Sequence, residues 1–382
     1  MQSATALAES LVIAALRGPA PAWPKEAEEA TARQALRIAS DNGVASLLHD
    51  KLAGGDWPAN TLDALRNQAV HAAMWELSHQ HALGLLLKAL HEADVTPVLI
   101  KGTSLAYSLY GNPALRTRGD TDLLIPLASH AQVHDLLLAQ GYETQHAVEG
   151  EFISYQAAYV LRSRDGGEHT LDVHWKINNS ELLSHLFTHA ELLQDAQPLP
   201  ALCAHAVGAS PVHALLIACM HRSTHKQNPY YVNGEPHHDA DRLIWLYDIH
   251  LLAAYLTRDE WAKFVQLALQ KGLAAVCLEG MQHAAARFHT PYPPDVEQAL
   301  SQATSEAPFR YLAAGHFRQR WMDFLALGSA GRRLRFAREV FFPAPGYMRA
   351  KYQLARWRWL PWLYLRRAGG GLVKSLLRRH VA

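Results

Sequence analysis

Three aspartates and one short turn raise the chemical question in this chain. Asp120 and Asp122 are separated by a single threonine and run into Leu-Leu-Ile. Residues two apart on a strand share a face, so these carboxylates converge, and unassisted they repel. A third, Asp172, lies in the alternating segment His-Thr-Leu-Asp-Val-His-Trp-Lys-Ile. There Leu171, Val173 and Trp175 form an apolar face, and Asp172 and His174 point the other way. If that strand joins the same sheet, Asp172 meets the first two. Such a cluster suits divalent cations: Mg²⁺ (or Mn²⁺) takes a few carboxylates together with phosphate oxygens and water. Two such ions activate an attacking oxygen and stabilise a leaving one. Without a cation, one carboxylate would tend to keep its proton.

The complementary half lies upstream, in Val-Leu-Ile-Lys-Gly-Thr-Ser. Gly102 lets the backbone approach a ligand, and Gly102, Thr103, Ser104 and the helix they open offer N–H groups to an anion. Lys101 either contacts phosphate or ends the strand. Arg116 and Arg118, just before the aspartate pair, are candidates for forked phosphate contacts. Anion cradle, arginines and carboxylates together describe a nucleoside triphosphate with its metals. Neither GxxxxGK[ST] nor GxGxxG occurs, so a P-loop and a dinucleotide fold are excluded as its source.

The elements that must position these residues follow from periodicity. Residues 1–94 carry apolar side chains at three- and four-residue intervals, with breaks at Asn42-Gly43 and Gly54-Gly55, and read as helices. Residues 95–180 change period. Short strands are expected at Thr-Pro-Val-Leu-Ile, Thr-Asp-Leu-Leu-Ile, residues 152–162 and 169–177, with two helices between them and a turn at Arg164-Asp165-Gly166-Gly167. Residues 181–330 return to helical period as a bundle, interrupted by a loop at residues 228–238. Residues 331–382 form a basic, aromatic helical tail. The fold class is α+β.

Charge is nearly balanced at 36 Lys/Arg against 35 Asp/Glu, but unevenly placed. From Arg332 onward there are thirteen basic residues and one acid, Glu339, leaving 23 basic against 34 acidic before it. The tail is expected to dock on the acidic body; an anionic membrane surface or nucleic acid are the alternatives. The three cysteines, Cys203, Cys219 and Cys277, show no paired spacing, which fits a reduced, cytoplasmic compartment. No signal peptide and no membrane span is expected.

The ordered motifs resemble the DNA polymerase β-type nucleotidyltransferase superfamily. More narrowly, VLIKGTSLAYSLYG, Arg116 with GDTDLLI, LDVHW, and His221 with RLIWLYDI resemble a bacterial family of uncharacterised nucleotidyltransferases, over most of residues 30–290. The resemblance implies a small mixed-sheet core flanked by N- and C-terminal helical domains. It implies Asp120 and Asp122 bridging two metals, Asp172 on the catalytic metal beside the acceptor hydroxyl, and Gly102, Thr103 and Ser104 on the β- and γ-phosphates. The implied reaction moves a nucleoside monophosphate from an NTP to a hydroxyl of a protein or small molecule, releasing pyrophosphate. His221, Arg242 and Asp248 fall at family-like positions and are expected to close the cleft or brace it. Two rival readings are a catalytically silent NTP-binding module of toxin–antitoxin type and a zinc hydrolase built on the His-rich region around His221, His225, His237 and His238.

Overall fold

The computed structural model describes residues 3–145, 152, 154–163, 166–232, 234–303, 306–342, 345, 348 and 362–364. The chain opens with four helices, α1 (Ala4–Arg17), α2 (Glu29–Asp41), α3 (Ala45–Lys51) and the long α4 (Ala59–Glu92). The α+β core follows: β1 (Val98–Ile100), α5 (Lys101–Ser108), β2 (Asp120–Leu124), α6 (His130–Ala139), β3 (Glu143–Gln145), β4 (Gln156–Arg162) and β5 (Glu168–His174). After α7 (His189–Gln194), two more short strands, β6 (Gln197–Pro198) and β7 (Val207–Gly208), return to the sheet. The remainder is helical apart from one hairpin. It comprises α8 (Pro211–Thr224), β8 (Tyr230–Val232), β9 (Glu235–His237), α9 (Leu243–Tyr255), α10 (Arg258–Lys271), α11 (Ala274–Phe288), α12 (Pro294–Ser301), α13 (Ala307–Ala313), α14 (His316–Ala326) and α15 (Ala330–Phe341).

The main sheet has seven strands in the order β3-β4-β5-β2-β1-β7-β6. It is mixed: β2 runs parallel to β5 and antiparallel to β1, and β1 runs parallel to β7. The two faces carry separate cores. Leu99, Leu123, Leu171 and Val173 pack with Leu83, Leu86, Leu87 and Leu90 of α4 and with Val133 and Leu137 of α6. Val98, Ile100 and Leu124 belong instead to the larger core shared with α1–α3 and α8–α11. The period-2 rule therefore sends Asp122 and Asp120 to the same side as Leu124, toward the helical bundle.

The hairpin region differs from expectation. Residues 228–238 hold a hairpin, β8–β9, where a loop was expected from the Pro, Gly and Asn content. The Asn233-Gly234 pair between the two strands is itself a strong hairpin signal. The basic tail beyond Phe342 lies almost wholly outside the described residues, as do Arg164 and Asp165 of the expected turn. No helix among the described residues is long and apolar enough to cross a membrane.

The sheet edge that seats α5 is tight. Gly208 pairs with Leu99, and a β-carbon there would collide with Ser104 Oγ and lie 3.0 Å from Leu199 Cδ1. Because Ser104 belongs to a short helix packed on buried neighbours, it cannot swing aside cheaply. Gly208→Ala should cost about 1–3 kcal/mol, read as a lower denaturation midpoint with unchanged denaturant slope. An unshifted midpoint would contradict this packing.

Candidate active site

Local sequence dictates the first part of the site. The apolar β1 ends at Ile100 and α5 begins at once, with Lys101 held at φ 55°, in the left-handed region. That conformation costs a non-glycine residue about 1–2 kcal/mol, and strain of this kind concentrates at functional sites. It aims the Lys101 side chain back over the sheet, where Nζ lies 2.5 Å from Asp122 Oδ1.

The register completes the cluster. Asp122 sits opposite Asp172 on the parallel pair β2–β5, and Leu124 opposite His174. His174 Nε2 lies 2.8 Å from the same Asp122 Oδ1. Ligand atoms of Asp122, Asp172 and His174 all fall within 4.8 Å of one another, and no other such trio of acidic, histidine or cysteine side chains occurs among the described residues. Asp120 stands at the exposed start of β2, on the same face. On the other side of Asp172, Gln156 Nε2 donates to Oδ2 at 2.9 Å, Asn179 Nδ2 donates to Gln156 Oε1 at 2.8 Å, and Tyr155 N–H donates to Asn179 Oδ1 at 2.7 Å. That chain anchors Asp172 to the backbone.

Electrostatics separate the three acids. Burial alone would raise Asp122, but Lys101 and the His174 hydrogen bond hold it well below the usual carboxylate range. Crowding by the cleft walls and the Asp122 charge push Asp120 up to about 6. Burial, with Asp122 and Asp120 alongside, pushes Asp172 up to about 7. Burial and Lys101 lower His174 and so favour its neutral form, in which Nε2–H donates to Asp122. Its Nδ1 is buried with no hydrogen-bond partner.

The expected divalent ions can be tested against this donor set. Asp122 and Asp172, joined by the His174 ring and with Asp120 on the same strand face, offer the hard oxygen ligands Mg²⁺ prefers, and Lys101 hydrogen-bonds Asp122. The residues fit. The histidines weighed for zinc do not converge in this way. His221 and His225 approach each other at 3.3 Å between Nε2 atoms, but no third ligand joins them among the described residues.

The other expected phosphate contacts separate into two groups. Lys101 and Gly102 line the cleft. Thr103 and Ser104 do not: Thr103 Oγ1 bonds Thr121 Oγ1 at 2.7 Å and receives Arg118 Nε at 2.8 Å, and Ser104 is buried against Gly208. Arg118 touches the cleft edge, but its guanidinium is forked onto Glu76 of α4 at 2.7 and 2.8 Å. Arg116 is forked onto Asp248 of α9 at 2.7–3.0 Å, and its remaining nitrogen donates to Thr117 O. Asp248 thus braces the cleft by holding Arg116.

Arg242 is differently placed. It lines the cleft, lies over the rings of Tyr230 (4.7 Å) and Trp245 (5.5 Å), and donates to Asp41 O, with no carboxylate partner among the described residues. Burial and the nearby Arg116 charge lower it to about 10, still cationic at neutral pH. Its place depends on the Asn42-Gly43 turn of the N-terminal helices, where Asn42 Oδ1 accepts Leu243 N–H at 2.9 Å. Gln156, Asn179 and Glu76 carry no motif-like signal in the sequence. Asn178-Asn179, directly after the Asp172 strand, is the nearest hint of one.

The cleft has two lobes of about 430 and 440 Å³. They share Lys101, Asp120, His221 and His225. The first holds the start of α5 and the Tyr230–Arg242–Trp245 wall. The second holds Asp172, Gln156 and the segment after β5.

No curated protein matches the chain in sequence. Residues 28–289 match a family described as uncharacterised nucleotidyltransferase, a span that takes in the braces from α2 and α4, the whole sheet, and the α8–α9 wall of the cleft. The chain belongs to that family of uncharacterised nucleotidyltransferases.

Proposed function

We propose that the protein transfers a nucleoside monophosphate from a metal-bound NTP to a hydroxyl of an acceptor, releasing pyrophosphate. The observation that carries this reading is the register that faces Asp122 with Asp172 across parallel strands, at the mouth of α5. In it, Asp120, Asp122 and Asp172 would hold the divalent ions, whose charge would neutralise the phosphates and favour ionisation of the attacking hydroxyl. The NTP lies in the first lobe. The backbone N–H groups at the start of α5 and the Lys101 and Arg242 side chains bind its phosphates, and the aromatic wall takes the base. The acceptor enters the second lobe. Asp172 stands beside the reacting hydroxyl, and the Gln156–Asn179 chain fixes its orientation there. Positioning and charge stabilisation supply most of the rate.

Incubation of the protein with Mg²⁺ or Mn²⁺, each α-labelled NTP and a cell lysate tests this. Label should move to an acceptor with wild type and not with Asp120→Asn/Asp122→Asn. Transfer surviving in the double variant would remove the site, and absence of NTP binding in calorimetry would remove the reading. Binding that persists with no transfer to any acceptor would leave a silent NTP-binding module.

Arg242 gives a second, more selective result. Arg242→Ala should raise the NTP KM by about tenfold or more, equivalent to one charge-assisted contact of roughly 1.5–3 kcal/mol, while kcat falls less. An unchanged KM would place the phosphates elsewhere.

A further inference from the structure

Given the nucleotidyl transfer proposed above, on which this inference rests, the second lobe limits what the acceptor can be. Its only carboxylates among the described residues are Asp120 and Asp172, both committed to the catalytic cluster. A polyamine or amino sugar entering there would find no other anion in that lining to pair with. What the lobe offers is neutral hydrogen-bonding capacity and positive charge. Asn178, Asn228 and Gln319 line it, and Asn178 Nδ2, Asn228 Oδ1 and Gln319 Oε1 make no hydrogen bond among the described residues. Also in its lining, the exposed Arg320 and His316 of α14 make no ion pair among the described residues. Unspent amides suit several hydroxyls at once, and an unpaired guanidinium suits a carboxylate or phosphate in forked contact.

Size and sequence position sharpen this. A lobe of about 440 Å³ is at the small-ligand end of binding sites, and α13–α14 close its far side with Tyr311, Gln319 and Arg320. Those helices lie beyond residue 289, where the family match ends. The donor lobe and the three aspartates are built within the matched span, whereas the outer wall of the acceptor lobe is not.

We infer that the acceptor is a sugar-sized, polyhydroxylated small molecule carrying one anionic group, with the reacting hydroxyl at Asp172 and the anion at Arg320. The acceptor oxygen bonds to the α-phosphorus of the NTP, and the bond from that phosphorus to the β-phosphate bridging oxygen breaks. Pyrophosphate leaves with the bonding pair, and the hydroxyl proton passes to solvent water. No oxidant or reductant is involved. Arg320 is a specificity residue, since it meets the substrate far from the reacting atoms.

The test supplies wild-type protein with Mg²⁺, the α-labelled NTP that binds most tightly, and four sets of probes. These are hexose and pentose phosphates, the matching uronic acids, the neutral sugars and the amino sugars. At least one phosphate or uronate should be labelled with kcat/KM tenfold or more above its neutral counterpart, and which of the two sets responds identifies the anion. Arg320→Ala should erase that preference while NTP affinity stays within twofold, and Arg320→Lys should restore part of it. Equal or better labelling of neutral or amino sugars overturns the inference. So does label that moves only to protein chains, a preference unchanged in Arg320→Ala, or no labelled probe at all although NTP binds. Failure to bind NTP is a separate result, which removes the underlying transfer reading instead.

Discussion

Asp172→Asn will abolish nucleotidyl transfer and at the same time raise the melting temperature of the metal-free protein at pH 8. The first half follows from the proposed metal-holding role of Asp172 beside the second lobe; losing that carboxylate should cost about 10³-fold or more in kcat. The second half follows from linkage. Burial and the charges of Asp122 and Asp120 raise the Asp172 carboxyl from 3.8 to about 7, so the folded state disfavours its ionised form. For a group whose folded value is raised, the stabilising contribution is complete below the unfolded value, and it is lost as pH rises through the folded one. The wild-type, metal-free protein should therefore lose stability between about pH 4 and pH 7 on this account. An asparagine there loses none. Three units at 1.36 kcal/mol each set an upper limit of about 4 kcal/mol. Partial exposure of Asp172 and screening reduce that to about 2 kcal/mol. Melts of both proteins in EDTA at pH 4.5 and pH 8 check it: the gap should open with pH, and added Mg²⁺ should close it by stabilising wild type more. A variant that melts lower at pH 8, or one that still transfers label, refutes this assignment.

The same competition between charge and burial decides how much of the site could be read from the sequence. Asp120, Asp122 and Asp172 were legible because period-2 alternation needs only a few residues of context, and their register followed once Leu123 and Val173 faced one core. The strand–turn–helix at Lys101 was legible for the same reason, although nothing in Lys-Gly-Thr-Ser indicates that the lysine takes the left-handed backbone and Gly102 the helical one. The arginines were not legible. A guanidinium next to an aspartate pair reads as a phosphate contact until its counterion is known. Glu76 sits mid-helix in α4 and Asp248 lies 132 residues beyond Arg116, so only tertiary packing brings them in. Arg242 was illegible for the converse reason: it donates to the Asp41 carbonyl and pairs with no carboxylate among the described residues. The short strands β6 and β7 escaped because two-residue pairings carry no periodicity.

Removing Asp248 alone should be among the most destabilising single changes in the molecule. Arg116 and Asp248 are both buried, joined by a fork of 2.7–3.0 Å, and Tyr110 O–H donates to the same carboxylate at 2.8 Å. Asp248→Ala leaves Arg116 Nε and Nη2 and the Tyr110 phenol without an acceptor at a largely buried site, at a cost of about 3–5 kcal/mol. A buried pair replaced whole by apolar groups of similar volume is often neutral or better, so the triple variant Arg116→Met/Asp248→Leu/Tyr110→Phe should recover stability to within about 1 kcal/mol. It also separates two roles for Arg116. Three of its nitrogens are spent on Asp248 and Thr117 O, which makes it a brace that holds α9, and with it Arg242, against the cleft. On that account the refolded triple variant binds NTP within threefold of wild type. A loss of tenfold or more in NTP affinity, with stability restored, would instead put a phosphate on Arg116 itself and leave Arg242 as the bystander.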